Sequence, residues 1–337
     1  MANSKVLIIY TGGTIGMVTD SNTGRLKSFD FNHLYDHVPE LQRLPIDKEA
    51  ISFPEPIDSS EMNPEHWKRI ADLIEANYDR FDGFVVLHGS DTMAYTASAL
   101  SYALSGLQKP VILTGSQLPI GTIRTDGKEN LITAIEIAGA KENDDAIVQE
   151  VAIYFEYHLY RGNRSTKDSA SLFNAFRSPN YPELATAGVD IDYNKKQLLR
   201  SDQASLKVNT EFSERVALLK IYPGFNVHTA ATMFDRTMVD GLVIESFGAG
   251  NAPSSGDLFS FCKSFIEQGG HILNITQCSS GSVHHGMYET SGGFLEAGVI
   301  EGHDLTAEAA ITKMMFALGQ DEPAKVLSSN LAGELTI

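Results

Sequence analysis

A threonine hydroxyl lies near the start of the chain inside a glycine-rich segment, "YTGGTIGM", at residues 10–17. The segment follows an unbroken apolar run. Gly12 and Gly13 permit backbone angles that are closed to other residues, so the chain can turn sharply ahead of Thr14. A threonine hydroxyl is a weak nucleophile until a base, held in place by a third group, takes its proton. The segment is therefore compatible with a covalent hydrolase if other loops supply that base.

Three further loops carry polar side chains beside predicted strands or helices. They contain Asp58, Ser59 and Ser60 in "PIDSSEM", Ser90 and Asp91 in "LHGSDTM", and Ser116 and Gln117 in "LTGSQLP". Each loop alone is explained by helix capping, and Asp91 in particular fits a cap of the next helix. Four such loops in one half of the chain, with repeated Gly-Ser or Gly-Thr pairs, favour one crevice at the carboxyl edge of a sheet.

The base for Thr14 is expected to be a lysine that works with Asp91. A lysine desolvated in a pocket can lose its proton near neutral pH, and an aspartate can orient it or compensate its charge. Spacing alone leaves open which of the lysines serves.

Other chemistries have weaker support. Thr14 stands where a dinucleotide fingerprint needs its second glycine, and neither a P-loop, an HExxH motif nor a G-x-S-x-G motif is present. His284 and His285 are adjacent and so project in different directions, and Cys262 and Cys278 lack the spacing of a zinc site or a disulfide framework. The sequence therefore predicts no nucleotide cofactor, no metal and no serine nucleophile.

Short apolar runs alternate with helical patterns along the chain. Besides the first run, they occupy residues 83–89, 109–115, 150–155, 216–224, 241–248 and 271–277. This alternation predicts a mostly parallel α/β sheet. Asn63 is expected to cap a helix that begins at Pro64, and Asp126 with Glu129 resembles a capping box at the start of another.

The length of 337 residues exceeds what one hydrophobic core usually organises, so two domains are expected. A polar stretch without periodicity separates them. We predict two α/β domains: a larger N-terminal domain, residues 1–190, has a mostly parallel sheet flanked by helices, and a smaller C-terminal α/β domain covers residues 213–337. Residues 191–212 form the predicted linker, and the polar stretch 18–31 is a candidate flap over Thr14.

The net charge of −17 opposes nucleic acid as a partner, because phosphate binding needs a basic face. No apolar run approaches the roughly 20 residues that span a bilayer, and the N-terminal apolar run is too short for a signal peptide. The sequence predicts a cytoplasmic protein that binds neither nucleic acid nor membrane.

Seven segments together resemble the bacterial cytoplasmic (type I) L-asparaginases, and the resemblance extends from about residue 5 to the C-terminus. They are "YTGGTIGM", "PIDSSEM", "LHGSDTMAYTASAL", "PVILTGSQLPI", "LYRGNRSTK", "GAGNAP" and "LSSNLAGELT". The resemblance implies hydrolysis of L-asparagine to L-aspartate and ammonia without metal or organic cofactor. It also implies a homodimer or homotetramer.

The resemblance also implies roles for individual residues. Thr14 matches the nucleophile that forms an acyl-enzyme, and Ser90, Asp91 and Lys167 match a group that relays protons. Matches to substrate-binding positions are Asp58, Ser59, Ser60, Ser90, Asp91 and, on a neighbouring subunit, Asn251. Backbone N–H groups near Gly13 and Ser90 would form the oxyanion hole. Two features depart from the family pattern: Ser90 replaces the usual threonine, and the flap has Arg25 near the place where some relatives have a tyrosine.

Three alternatives remain from the sequence. A glutaminase is the nearest alternative, because one extra methylene in the substrate changes the free energy that discriminates glutamine from asparagine by only about 1–3 kcal/mol in a simple pocket. A glutamyl-tRNA amidotransferase subunit is opposed by the net charge and by a first strand that begins near Val6, which leaves no room for that subunit's extra N-terminal domain. A binding protein without turnover is opposed by the presence of Thr14 and Lys167.

Overall fold

The structure is a computed structural model that describes residues 3–19, 26–28, 38–201, 203, 205–253, 257–286 and 289–336. It divides into two compact units, Met1–Asn209 and Thr210–Ile337. Each unit is an α/β unit built on a sheet, and the larger sheet belongs to the first. The predicted fold class is therefore confirmed.

The first unit contains sixteen short or long strands among its described residues, three α-helices and four 3₁₀ segments. The strands are β1 (Ser4–Gly12), β2 (Met17–Thr19), β3 (Leu26–Ser28), β4 (Ile46–Ile57), β5 (Gly83–Leu87), β6 (Leu104–Ser105), β7 (Val111–Thr114), β8 (Lys141–Glu142), β9 (Asp145–Ala146), β10 (Val151–Phe155), β11 (His158–Arg161), β12 (Thr166–Lys167), β13 (Phe176–Arg177), β14 (Ala185–Ala187), β15 (Ile191–Tyr193) and β16 (Lys207–Val208). The helices are α1 (Pro64–Asn77), α2 (Met93–Ala103) and α3 (Gly127–Gly139), and the 3₁₀ segments are Thr14–Gly16, Pro39–Arg43, Ser59–Glu61 and Gly162–Arg164.

Eight of these strands form one sheet in the order β15-β14-β11-β10-β7-β5-β1-β4. Strands β4, β1, β5, β7 and β10 are parallel neighbours, and β11, β14 and β15 continue the sheet in antiparallel fashion. Tyr10 pairs with Leu87, and Leu87 pairs with Thr114. Because these three strands run parallel in this register, the loops that follow them begin side by side at one edge of the sheet.

The apolar run at the start of β1 is buried on both faces of this sheet. Val6 and Ile8 pack in the cluster that contains the apolar face of α3, whereas Leu7 and Ile9 pack in the cluster that contains α1 and α2. An unbroken apolar run is typical of a strand covered by helices on both sides. The burial therefore explains why this run shows no polar alternation.

The second unit has a four-stranded parallel sheet in the order β17-β18-β19-β20. Its elements are β17 (Val216–Lys220), β18 (Gly241–Ser246), β19 (His271–Thr276), β20 (Ile300–Glu301), α4 (Val227–Met233), α5 (Asp257–Glu267), α6 (Glu289–Ala297), α7 (Ala307–Leu318) and α8 (Pro323–Ser328). Helices α4, α5 and α6 contribute to the core on one face, and α7 and α8 contribute to the core on the other. In the part of the chain that the structure describes, no helix is long and apolar enough to cross a membrane.

Several predicted elements are confirmed in detail. All six apolar runs predicted after the first one contain strands, and α1 begins at Pro64. Asn63 caps that helix, since its side-chain oxygen accepts a hydrogen bond from the His66 N–H at 3.2 Å.

The predicted linker, residues 191–212, contains β15, an edge strand of the large sheet, and β16, which pairs with β6. Residues 191–209 accordingly lie in the first unit.

The predicted capping box at the start of α3 is wrong. The Asp126 carboxylate makes no cap hydrogen bond and instead accepts one from the Gln117 N–H at 2.8 Å. Glu129 accepts hydrogen bonds from Thr133, at 2.9 Å, and from the hydroxyl of Tyr154. Both acidic side chains are used in contacts with distant segments, which local spacing does not reveal.

A buried ion pair holds the end of the chain to α7. Lys313 and Glu334 are both 0% exposed, and the Lys313 Nζ lies 2.8 Å from a Glu334 carboxylate oxygen. Lys313 also donates to the Ser329 carbonyl at 2.5 Å, and Glu334 accepts from the N–H groups of Leu331, at 2.9 Å, and Ala332, at 2.7 Å. Burial lowers the pKa of Lys313, and the Glu334 carboxylate opposes that shift. The motif "LSSNLAGELT" therefore has a structural role in this unit.

We predict that Lys313→Met lowers the free energy of unfolding by about 3–5 kcal/mol, because it leaves the Glu334 charge buried without its partner. Urea denaturation followed by circular dichroism measures the change. Lys325→Met is the matched control, since Lys325 and Glu322 form an ion pair at 2.8 Å with both side chains exposed, and its loss costs at most about 1 kcal/mol. Equal destabilisation by the two substitutions would contradict the prediction.

Candidate active site

The loop that carries Thr14 leaves β1 in a conformation that only glycine adopts easily. The φ angles of Gly12 and Gly13 are +138° and +84°. A Cβ on Gly12 would lie 2.0 Å from the Ile57 oxygen, and one on Gly13 would lie 2.5 Å from the Gly89 nitrogen. Side chains at either position would collide with backbone, so both glycines are required by this geometry. Thr14 follows directly, half-buried, as the first residue of a 3₁₀ turn.

The backbone of His88 and Gly89 is the point where the polar loops meet. Besides the approach of Gly13, a Cβ on Gly89 would lie 2.5 Å from the Ser59 Oγ, and a Cβ on Gly115 would lie 2.3 Å from the His88 oxygen. The predicted convergence of four loops after successive strands is thus what the structure shows. Thr14 and Ser90 each come one residue after a member of the contacting pair Gly13 and Gly89.

Lys167 joins Ser90 and Asp91 through direct hydrogen bonds. Its Nζ donates to the Ser90 Oγ at 2.9 Å and forms an ion pair with the Asp91 carboxylate. The Lys167 side chain is only 15% exposed, whereas that of Asp91 is 69% exposed. The capping role that the sequence allowed for Asp91 is not observed, because the residue before α2 is Thr92 and it makes no side-chain cap bond. Asp91 therefore presents a carboxylate to solvent beside a sheltered lysine.

The loop of Asp58, Ser59 and Ser60 is fixed by its own hydrogen bonds. An Asp58 carboxylate oxygen accepts from the Ser60 N–H at 2.9 Å and from the Ser60 hydroxyl at 2.8 Å. These bonds, the backbone one first, lower the pKa of Asp58. The Thr92 hydroxyl donates to the Ser59 carbonyl at 2.7 Å, which ties this loop to the start of α2. Asp58 thus shapes the loop, and Ser59 lies against Gly89.

The two predicted oxyanion donors differ in availability. The Gly13 N–H donates to the Ile57 carbonyl at 3.2 Å, so this part of the prediction needs correction: the donor is already used between β1 and β4. Among the residues that the structure describes, none accepts a hydrogen bond from the Ser90 N–H. Of these two N–H groups, only that of Ser90 lacks an acceptor among the described residues.

Three other residues were singled out by the sequence analysis. Asn251 is in the second unit, where its N–H donates to the Phe247 carbonyl at 2.7 Å. Ser116 is buried and its hydroxyl donates to the Leu118 carbonyl at 2.6 Å, so it supports its own loop. In the predicted flap, β2 and β3 pair in antiparallel fashion. Arg25 and the rest of that flap lie outside the described residues.

Sequence reasoning missed the residues that hold the loop after β7. The Asp126 carboxylate, buried and with its pKa raised by desolvation, accepts from the N–H groups of Gln117 and Leu118 at 2.8 and 3.1 Å. The Gln117 amide donates to the Leu172 carbonyl at 3.0 Å, and its oxygen lies 3.5 Å from the Ser90 Oγ. The only sequence signal was the polar pair after this strand, which did not indicate that a distant aspartate positions it.

Comparison with known families agrees with this geometry. Residues 5–199 match the model of the N-terminal asparaginase domain, and residues 215–329 match that of the C-terminal glutaminase/asparaginase domain. The chain belongs to the asparaginase family. The resemblance found in the sequence motifs is therefore confirmed, and the match covers both units of this asparaginase-family enzyme.

Individual relatives of this asparaginase-family chain are similar over its whole length. L-asparaginase 1 of Escherichia coli strain K12 is 40% identical over 100% of this chain and 99% of that protein. The 60 kDa lysophospholipase of Mus musculus is 37% identical over 99% of this chain and 63% of that protein. The crystal structure of L-asparaginase I from Vibrio cholerae has a TM-score of 0.90 and 37% identity, with 100% of each chain covered.

The asparaginase-family chain carries a fully buried histidine, His88, whose pKa burial lowers from about 6.5 to about 4. Above pH 6.5 the imidazole is neutral in both folded and unfolded chains, and its full contribution to stability is present. Between about pH 6.5 and pH 4 only the unfolded chain binds the proton, so the free energy of unfolding falls, by roughly 3 kcal/mol in total.

We predict that His88→Gln flattens this part of the pH profile, measured by urea denaturation. His228→Gln, at an exposed position, is the control, and equal slopes in the two variants would contradict the prediction.

Proposed function

We propose that this chain is an L-asparaginase that hydrolyses the side-chain amide of L-asparagine through an acyl-enzyme on Thr14. The observation that carries the proposal is the contact of Lys167 with both Ser90 and Asp91, one residue from the place where the Thr14 loop touches Gly89. The similarity to L-asparaginase 1 of Escherichia coli over the full chain supports the same substrate.

The loops suit a small zwitterion. Asp91, with its exposed carboxylate, pairs with the α-ammonium group, and the loop of Ser59 and Ser60 holds the α-carboxylate, with the Ser59 hydroxyl as a donor. The Ser60 hydroxyl donates to Asp58 at 2.8 Å and fixes the loop. Asp58 acts on this loop indirectly, because one of its carboxylate oxygens is engaged with Ser60. A few polar groups that converge on such a substrate are enough to bind it, and it needs no large apolar pocket.

In the acylation step the Thr14 Oγ attacks the side-chain carbonyl carbon of asparagine. The bond from this oxygen to carbon forms, and the hydroxyl proton passes by way of Ser90 and Lys167 to the amide nitrogen. The carbon–nitrogen bond then breaks, and the nitrogen departs as ammonia. The oxyanion of the intermediate accepts hydrogen bonds from the Ser90 N–H and from the N–H of Thr14 itself, which opens a 3₁₀ turn and has no partner within it. Donors placed in this way lower the barrier most where negative charge develops.

In the deacylation step water attacks the ester on Thr14, the bond between the Thr14 oxygen and the acyl carbon breaks, and L-aspartate leaves while a proton of the water returns to the Thr14 oxygen. Ser90 and Lys167 move the water proton, because the Ser90 Oγ and the Lys167 Nζ are 2.9 Å apart. Asp91 compensates the positive charge that this transfer places on Lys167. Asp91 thus serves both substrate binding and proton transfer, whereas Lys167 serves proton transfer.

We predict that Thr14→Ala abolishes ammonia release from L-asparagine while leaving the circular dichroism spectrum unchanged, because the substitution removes the attacking hydroxyl. Lys167→Met is expected to lower kcat by about 10²- to 10⁴-fold, the range of a lost general base, with KM within a few-fold. Ammonia is measured from L-asparagine and, in parallel, from L-glutamine, and we expect a strong preference for asparagine.

Lys195→Met serves as the control for removal of a lysine, since Lys195 pairs with Glu142 on the surface at 2.6 Å and both side chains are more than half exposed. A Thr14→Ala chain that retains more than a small fraction of the wild-type rate would overturn the nucleophile assignment. A wild type that prefers glutamine would favour the glutaminase alternative. No release from either amide would overturn the proposed activity.

We further propose that the enzyme works in the cytoplasm as a homodimer or homotetramer in which Asn251 of one copy lines the pocket of another. The motif "GAGNAP" that carries Asn251 supports this role, as does the position of Asn251 in the loop that follows β18, at the carboxyl edge of the second sheet. Light scattering of the active enzyme is expected to give a dimer or tetramer. A monomer with full activity would contradict the proposal.

A further inference from the structure

A chain of hydrogen bonds runs behind the Ser90 loop through three buried side chains. Trp67, Thr96 and His88 are 5%, 0% and 0% exposed. The Trp67 Nε1 lies 3.1 Å from the Thr96 Oγ1, that oxygen lies 2.9 Å from the His88 Nε2, and the His88 Nδ1 lies 2.7 Å from the Gly89 carbonyl oxygen. The chain thus connects α1 and α2 with the backbone just before Ser90.

The chemistry of these groups decides which atom donates and which accepts in each of these hydrogen bonds. A carbonyl oxygen only accepts, so the His88 Nδ1 carries the hydrogen that it donates to Gly89. Burial keeps the ring neutral, which leaves the Nε2 as an acceptor. The Thr96 hydroxyl must therefore donate to this nitrogen. Its oxygen in turn accepts from the indole N–H of Trp67, which can only donate. Every donor and acceptor in the chain is satisfied in this arrangement.

The last bond of this chain fixes the orientation of the Ser90 N–H. The Gly89 carbonyl and the Ser90 N–H belong to one planar peptide unit, and no peptide bond among the described residues is cis. In a trans peptide these two groups point in opposite directions. Since His88 holds the carbonyl toward the buried side, the Ser90 N–H points away from His88. No described residue accepts that N–H.

We propose that Trp67, Thr96 and His88 are positioning residues that aim the Ser90 N–H at the oxyanion of the reaction. This role rests on the proposed function, in which the same N–H stabilises the tetrahedral intermediate. The three side chains act only through the Gly89 peptide. Their removal therefore affects the transition state, where charge develops, more than the binding of the uncharged amide.

The test compares Thr96→Val with Thr96→Ser. Valine matches the shape of threonine and removes the hydroxyl, so the His88 ring loses the donor that holds its tautomer. We expect kcat for asparagine to fall about 10- to 100-fold with KM within about two-fold. Removal of one oxyanion donor lowers the rate by roughly 10²–10³-fold, and a donor that points in the wrong direction loses part of that factor. Thr96→Ser keeps the hydroxyl and is expected to stay within about three-fold of the wild type.

Ser98→Ala is the matched control, because Ser98 lies in the same helix, is fully buried and uses its hydroxyl only on the Ala94 carbonyl, at 2.8 Å. Trp67 is the only tryptophan in the protein, so tryptophan fluorescence reports directly on this series of hydrogen bonds. Thr96→Val removes the acceptor of the indole N–H, and we expect its emission maximum to move to shorter wavelength. Ser98→Ala is expected to leave the emission unchanged.

A second pair of substitutions covers the case in which Thr96→Val does not fold. His88→Asn places an amide N–H where the Nδ1 lies and keeps a donor for Gly89, whereas His88→Leu removes it. We expect the asparagine variant to have at least about ten-fold higher kcat than the leucine variant. Equal kcat in the two His88 variants would overturn the proposed role.

If Thr96→Val has the same kcat as Ser98→Ala in an active enzyme, the inference is overturned and the proposed function stands. A rise in KM with unchanged kcat would also overturn it, because it would indicate an effect on substrate binding. A wild type that releases no ammonia would instead overturn the proposed function, and this role with it, even if Thr96→Val shifts the fluorescence.

Discussion

The candidate site depends on the close approach of two glycine backbones, Gly13 and Gly89. A Cβ on Gly13 would lie 2.5 Å from the Gly89 nitrogen, so the Thr14 and Ser90 loops can touch only because Gly13 lacks a side chain. A Cβ on Gly89 would instead collide with the Ser59 side chain. Parallel pairing of β1 with β5 brings the two strand ends together, and the glycines allow the loops to close the remaining gap. Ser59 lies against Gly89 at this contact, and the Lys167 Nζ contacts the Ser90 hydroxyl and the Asp91 carboxylate.

Much of the fold could be predicted from local pattern. The run at Val6 indicated a doubly buried strand because every position is apolar, and Asn63 with Pro64 marked a helix start because capping depends on neighbouring residues alone. The group proposed for catalysis was harder to predict. Spacing placed Ser90 and Asp91 beside Thr14 at one edge of a sheet, but only the family motif singled out Lys167, which is 77 residues from Ser90. Their contact exists only in the folded chain.

The remaining features depend on long-range contacts that no local pattern contains. Asp126 looks like a helix cap in sequence, yet its carboxylate serves the Gln117 N–H nine residues earlier. The family motif marks the Gly13 N–H as an oxyanion donor, but in the folded chain this group donates to the Ile57 carbonyl. His88 lies within the run 83–89 that predicts a strand, and only its complete burial, which lowers its pKa to about 4, shows that it is held neutral behind the Ser90 loop.

The central claim is that asparagine and any activated analogue pass through one acyl-enzyme on Thr14. The most direct measurement is the partition of products between water and added hydroxylamine, with L-asparagine and the β-methyl ester of L-aspartate as substrates. A common acyl-enzyme predicts the same ratio of β-hydroxamate to aspartate from both, since the leaving group has already departed. Ratios that differ between the two substrates would contradict the account.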